Sequence, residues 1–246
     1  MHRFYAPSLD PGDEIVTLPR DESEHLTRVL RIGAGDTVSV FDGRGREFLA
    51  RVAPALNREV RVEILSRIEP PPESSIGFTL AQAVLKGEKM DDVVRDAVML
   101  GAHAIQPVVS ARAEVTVASL IRGSRLDRWR RVALASTKQS RRAVLAEIRT
   151  PLSFDTYLEE PGADLRLMLV EPGAGEGVQP VSALRQLPVP SEVVLLIGPE
   201  GGWTEAECRA ARERGFKLVT LGPRTLRADA VAVAALSVFQ FVWDAL

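Results

Sequence analysis

The stretch Val193–Gly202 reads VVLLIGPEGG, an apolar run that ends in a loop of glycine, proline and glutamate. Two other apolar runs end in similar loops: DLRLMLV precedes Glu171-Pro172-Gly173, and KLVT precedes residues 221–227, LGPRTLR. Buried parallel strands have this composition, and ligands bind at the carboxyl ends of such strands. Glycine lets backbone approach a ligand closely, and proline fixes the loop shape. We expect the three loops to form one binding site; the alternative, three unrelated tight turns, stays open.

The character of the sequence changes at Pro70-Pro71-Pro72, which excludes a helix or a central strand there. After the prolines, short apolar strands alternate with amphipathic helices predicted over residues 89–101 and 126–140. This order predicts an α/β fold with a mostly parallel sheet. Before the prolines, residues 36–43, 46–55 and 58–69 alternate apolar and polar side chains, which predicts a small antiparallel barrel or sheet, interrupted by a helix over residues 22–30. We expect two domains, residues 1–70 and 73–246.

Composition narrows the class of protein. The 246 residues include 31 Lys+Arg and 33 Asp+Glu, so the chain as a whole is not a polycation. No apolar run approaches the roughly 18 residues of a membrane span, the start of the sequence does not resemble a signal peptide, and the lone Cys208 can form no internal disulfide. We expect a cytoplasmic protein without a membrane segment. The scattered histidines and Cys208 show no metal-ligand spacing, and Rossmann, P-loop and serine-elbow motifs are missing.

One segment is locally basic. Between Arg122 and Arg149, nine basic residues stand against two acids: Arg122, Arg125, Arg128, Arg130, Arg131, Lys138, Arg141, Arg142 and Arg149 against Asp127 and Glu147. Such a stripe attracts a phosphate backbone. A solvated, arginine-rich helix explains it equally well, and charge alone does not separate the two interpretations.

A family resemblance emerges from four stretches: IGPEGGWTEAE, LGPRTLRADAVAVAAL, LKGEKMDDVVRDAVMLGAHAIQPVVSARAEV, and the opening MHRFYAP with HLTRVLRIGAGDTVSVFDGRG. Together they closely resemble the ribosomal small subunit RNA methyltransferases that methylate uracil N3. The resemblance implies a PUA-like RNA-binding β-barrel followed by a SPOUT α/β domain with a deep carboxyl-terminal trefoil knot. It also implies a homodimer that modifies the decoding region of 16S ribosomal RNA, on the assembled 30S subunit, with S-adenosylmethionine as cofactor and no metal.

The resemblance also assigns residues to the site. Those expected around S-adenosylmethionine are Leu169, Glu171, Pro172, Ile197, Gly198, Pro199, Glu200, Gly201, Leu221, Gly222 and Leu226. Positive charge, rather than the resemblance, gives the expected RNA contacts: Arg28, Arg31, Arg141 and Arg142.

Methylation of uracil N3 requires loss of a proton from between two carbonyls, so negative charge develops on O2 and O4. A guanidinium suits that charge because it stays protonated and donates two parallel hydrogen bonds. The candidates are Arg227, Arg224 and Arg3, with Asp229, Glu200 or water as proton acceptor. Bracing of the knot is the alternative role for Arg224 and Arg227.

The chain departs from the family pattern at two places. Ala228-Asp229-Ala230 replaces the usual Thr-Glu-Thr, and Arg141 stands where the family commonly has glycine. Two other functions stay open: a catalytically silent RNA-binding protein, and methylation of transfer RNA.

Overall fold

The structure, a computed structural model, describes residues 1–54 and 59–245. The predicted strands over 46–55 and 58–69, and the end of the predicted second domain at residue 246, extend outside these ranges. The chain divides into two compact units, Met1–Glu73 with Thr137–Leu145, and Ser74–Ser136 with Ala146–Leu246. The sequence did not indicate that Thr137–Leu145 belongs with the first unit.

The first unit contains a five-stranded sheet of order β1-β3-β4-β5-β2. Its strands are β1 (Arg3–Tyr5), β2 (Ile15–Thr17), β3 (Thr37–Phe41), β4 (Glu47–Val52) and β5 (Arg61–Ile68). The pairs are antiparallel except β1 with β3, which is parallel. The helix predicted over residues 22–30 is a short α-helix, α1 (Arg20–Glu24), followed by a π-helical segment (His25–Val29). Alternate strand residues such as Val38 and Val40 join Phe4 and Leu26 in an apolar core, as the period-two pattern predicts.

The second unit is built on a parallel sheet of order β11-β13-β10-β12-β6-β7-β8, with β9 also paired to β7. Its strands are β6 (Gly77–Ala83), β7 (Ala104–Val109), β8 (Glu147–Ile148), β9 (Leu152–Ser153), β10 (Leu165–Leu169), β11 (Gln179–Pro180), β12 (Glu192–Ile197) and β13 (Lys217–Thr220). The helices are α2 (Lys89–Met99), α3 (Val117–Arg122), α4 (Arg125–Gln139), α5 (Phe154–Leu158), α6 (Glu205–Glu213) and α7 (Ala228–Val242), with a 3-10 helix at Val181–Gln186. The predicted parallel α/β architecture is confirmed, and α2 and α4 confirm the two predicted helices.

Helices cover both faces of this sheet. Along β12, Leu195 packs into a cluster with side chains of α2, α4 and α7, whereas its neighbours Val194 and Leu196 pack with side chains of α5 and α6. Burial on both faces explains why β12 is a continuous apolar run rather than an alternating one. Within the described ranges, no helix is both long and apolar enough to cross a membrane.

Candidate functional site

The three loops predicted to share a ligand meet at one cavity. β10 pairs in parallel with both β12 and β13, so the carboxyl ends of the three strands are neighbours. The cavity measures about 520 Å³. Every predicted cofactor residue except Gly222 lines it: Leu169, Glu171, Pro172, Ile197, Gly198, Pro199, Glu200, Gly201, Leu221 and Leu226. The predicted catalytic residues Arg224, Arg227 and Asp229 line it as well.

Trp203 forms part of the cavity wall. Its indole Nε1 donates a hydrogen bond to the Leu169 carbonyl at 3.1 Å, and its ring lies 5.4 Å from that of Phe154. A Cβ at position 198 would come within 3.0 Å of Nε1, closer than nearly all real contacts of this kind. A side chain at position 198 would therefore force Trp203 to shift, whether or not a ligand is bound.

Arg112 reaches the same loop from the segment after β7. Its guanidinium donates to the Gly201 carbonyl, and a Cβ on Gly201 would lie 3.2 Å from the Cδ of Arg112. The amide of Ala111 donates to Glu207 Oε1 at 2.9 Å, and Glu207 also forms the α6 capping box with Thr204. The buried Glu207 therefore fixes both the start of α6 and the segment that carries Arg112.

Glu200 is held by the loop after β6. One carboxylate oxygen accepts hydrogen bonds from the Lys86 amide at 3.2 Å and from Lys89 Nζ at 2.9 Å. Burial alone would raise the pKa of Glu200, but the hydrogen bonds from Lys89 and from backbone amides outweigh it and hold that pKa below its usual range. At neutral pH Glu200 is an ionised, partnered carboxylate.

The two arginines of the third loop differ in their surroundings. Arg227 donates to both oxygens of Asp229, at 3.1 and 2.8 Å, and this contact lowers the pKa of Asp229. Arg224 is exposed, and its side chain makes no hydrogen bond or ion pair within the described part of the chain. Arg224 is therefore the third-loop arginine whose donors are not already committed.

Arg3 is engaged inside the first unit. Its guanidinium pairs with Glu47 at 2.8 Å and donates to the carbonyls of Thr137, Lys138 and Arg142 at 3.1, 2.9 and 3.0 Å. Only 10% of its side chain is exposed. Its catalytic role stays a prediction, and in this arrangement its donors hold the fold of its own unit.

The predicted RNA contacts fall into two groups. Arg28, Arg31 and Arg141 are exposed. Arg142 is buried against Glu73 at 2.6 Å, which leaves it little surface to offer a phosphate. Five of the nine residues of the basic segment pair with carboxylates: Arg128, Arg130, Lys138, Arg142 and Arg149. The segment is therefore not a continuous stripe of free charge, and it divides between the two units.

Sequence reasoning did not assign four residues of the site: Lys89, Arg112, Trp203 and Glu207. All four lie in the stretches that carry the family resemblance. Trp203 directly follows the Gly198–Gly202 loop, and the spacing Thr204-x-x-Glu207 is that of a capping box, so these two could have been found locally. Nothing in the spacing of Lys89 and Arg112 pairs them with the three loops. In residues 1–54 and 59–245, no group of three or more His, Cys, Asp or Glu side chains is arranged to hold a metal.

Comparison with known proteins assigns both units. Residues 72–240 match the family model of an RNA methyltransferase domain, and residues 18–65 match that of an RNA methyltransferase PUA domain. The ribosomal RNA small subunit methyltransferase E of Synechocystis is 32% identical over 224 residues, covering 90% of this chain and 71% of the relative. The chain belongs to the ribosomal RNA small subunit methyltransferase E family. Its first unit is accordingly a PUA-like domain, and its parallel sheet is that of the methyltransferase domain.

Two solved structures support the same family. The methyltransferase E of Neisseria gonorrhoeae, solved with S-adenosylmethionine bound, is 33% identical with a TM-score of 0.86, covering 99% of this chain and 98% of that one. A Legionella pneumophila protein, also solved with bound S-adenosylmethionine, is 31% identical with a TM-score of 0.87, covering 97% and 96%. Both similarities extend over nearly the whole of each chain.

Proposed function

We propose that the protein transfers a methyl group from S-adenosylmethionine to N3 of a uridine in 16S ribosomal RNA. The observation that carries this proposal is the convergence of the three strand-end loops on one cavity. Two relatives of the same family, solved with S-adenosylmethionine bound, support the choice of cofactor.

The residues of the cavity fit this cofactor. A volume of about 520 Å³ lies within the range of small-molecule sites, roughly 300 to 1,000 Å³. Leu221 and Leu226, which keep exposed surface, offer apolar contacts for an adenine ring, and the glycine-rich loop offers backbone groups for its polar edge. When bound, S-adenosylmethionine supplies an electrophilic methyl group.

The reaction breaks the N3–H bond of uracil and forms an N3–CH3 bond as the methyl–sulfur bond of the cofactor breaks, which would leave S-adenosylhomocysteine. Negative charge develops on the flanking carbonyl oxygens as the N3 proton leaves. We assign Arg224 to that charge because its donors are uncommitted, whereas those of Arg227 are bound to Asp229. Glu200 and Asp229 are weak proton acceptors because their pKa values are lowered. Water is itself a weaker base than either carboxylate, so the acceptor of the N3 proton stays one of the three predicted: Asp229, Glu200, or a water that passes the proton to bulk solvent.

The same proposal includes a trefoil knot formed by the three loops, a homodimer, a cytoplasmic location, and a substrate uridine in the decoding region of the assembled 30S subunit. These features rest on the family resemblance of the sequence.

The experiment combines binding with transfer. We expect calorimetry of the full-length protein to detect S-adenosylmethionine, and radioactive methyl to pass to 30S subunits or free 16S RNA but not to transfer RNA. Cofactor binding without transfer to any of these RNAs would favour a silent RNA-binding protein. Transfer confined to transfer RNA would establish the other alternative.

A further inference from the structure

Two exposed arginines of the first unit have a backbone conformation that arginine rarely adopts. Among the described residues, the non-glycine positions with positive φ are Arg31 at 55°, Arg141 at 63° and Asp244 at 49°. Aspartate tolerates this left-handed region because its short side chain can bond to local backbone, but arginine has no such compensation. The conformation therefore costs stability at Arg31 and Arg141 that glycine would not incur.

The fold holds Arg31 in this conformation from both sides. The Leu30 amide donates to the His25 carbonyl at 3.1 Å, and the Ile32 amide donates to the Leu26 carbonyl at 3.1 Å. This pattern closes the helical turn around a left-handed residue, a position that glycine usually occupies.

The backbone at Arg141 is also held on both sides. Arg3 donates to the Lys138 and Arg142 carbonyls on either side of it, and the Arg142 side chain is bound to Glu73. The Leu145 amide donates to the Gly43 carbonyl at 2.9 Å. The turn is therefore held on both sides of Arg141, in a conformation that glycine would adopt without strain.

Within the described part of the chain, the guanidinium groups of Arg31 and Arg141 have no polar contact that stabilises the fold. In the described ranges, the side chains of Arg31 and Arg141 make no ion pair or hydrogen bond, whereas Arg3 and Lys138 pair with Glu47 and Glu22. Backbone strain of this kind is found more often at binding and active sites than elsewhere in proteins.

We propose that Arg31 and Arg141 are RNA-phosphate contacts, and that the unfavourable backbone is kept at both positions because each exposed guanidinium is needed to bind the substrate. This inference rests on the proposed function. It adds that arginine at each of these two positions lowers the stability of the fold and raises the affinity for RNA.

The test separates strain from charge. Arg31→Gly and Arg141→Gly remove both, whereas Arg31→Gln and Arg141→Gln remove the charge and keep the strain. We expect the glycine variants to melt about 1 to 3 °C higher than wild type, and the glutamine variants to melt at the wild-type temperature. All four should bind a 16S RNA transcript more weakly, each with a salt dependence flatter by about one unit of slope.

Arg67→Gln is the matched control, because Arg67 is an exposed arginine in the extended backbone of β5. We expect its RNA affinity and salt slope to stay near wild type. The inference is overturned if the Arg31 and Arg141 variants keep the wild-type salt slope. It is also overturned if the variants change the molar mass measured by light scattering, since the arginines would then contact a second copy of the chain. Wild-type protein that binds no 16S RNA would overturn the proposed function as well, whereas wild-type binding with unaltered variants overturns this inference alone.

Discussion

Replacing Arg224 by alanine is expected to slow methyl transfer far more than it weakens the fold. Arg224 lines the cavity, is exposed and has no partner among the described residues, so little native structure depends on it. A surface substitution of this kind changes the free energy of unfolding by about 0.5 kcal/mol or less, or roughly 1 to 2 °C in melting temperature. Loss of one hydrogen-bond donor to a developing oxyanion costs about 3 kcal/mol, or roughly a hundredfold in rate, when bound substrate holds the donor in place.

Arg227→Ala is the matched comparison. It removes the ion pair between Arg227 and Asp229, whose side chains are 75% and 24% exposed. We therefore expect the free energy of unfolding to fall by about 0.2 to 1 kcal/mol, and the rate to fall less than it does in Arg224→Ala. Arg224→Lys should restore only part of the activity, because a point charge does not reproduce the planar two-pronged donor.

The assay is a single-turnover reaction at saturating S-adenosylmethionine and RNA, with the melting temperature recorded beside each rate. A normal single-turnover rate for Arg224→Ala would refute the assignment. If Arg227→Ala instead lost about a hundredfold at unchanged melting temperature, the catalytic role would pass to Arg227.

Three further predictions concern other parts of the chain. Gly198→Ala should weaken S-adenosylmethionine binding about tenfold by calorimetry, because the added methyl would crowd Trp203 at 3.0 Å; a wild-type Kd would contradict this account of the wall. Arg112→Ala should also raise that Kd about tenfold, since it frees the Gly201 carbonyl, and an unchanged Kd would show that the loop holds its shape without it. Asp42→Asn should cost about 1 to 3 kcal/mol in urea denaturation at pH 7. Burial would raise the pKa of Asp42, but hydrogen bonds from two arginines lower it below the usual range, so its stabilisation is present above about pH 3.9 and is lost as the pH falls through the folded value. The stability difference between wild type and the variant should therefore shrink below pH 3.9; a constant difference would contradict this.

The sheet of the second unit and the place of its site were predictable because they depend on local pattern. An apolar run such as Val193–Ile197 is recognisable as a buried strand, and the rule that ligands bind at strand ends requires no knowledge of strand order. Both features hold for the three loops that line the cavity.

Two of the supporting residues, Lys89 and Arg112, were not predictable, because they reach the site through long-range pairing. Lys89 and Arg112 approach the Glu200 loop because β6 lies beside β12 and β7 beside β6. No local periodicity reports that order. In the same way, the buried pairing of Arg142 with Glu73 joins residues 69 positions apart, so the basic segment was read as more exposed than it is.

The most direct test of the central claim is the identity of the methylated atom. Small subunits that contain unmodified 16S RNA are incubated with the full-length protein and S-adenosylmethionine, and the RNA is then digested to nucleosides for mass spectrometry against authentic standards. The account predicts 3-methyluridine, formed by the wild-type protein and much more slowly by Arg224→Ala. A methyl group found on another uridine atom, on a different base or on ribose would contradict it.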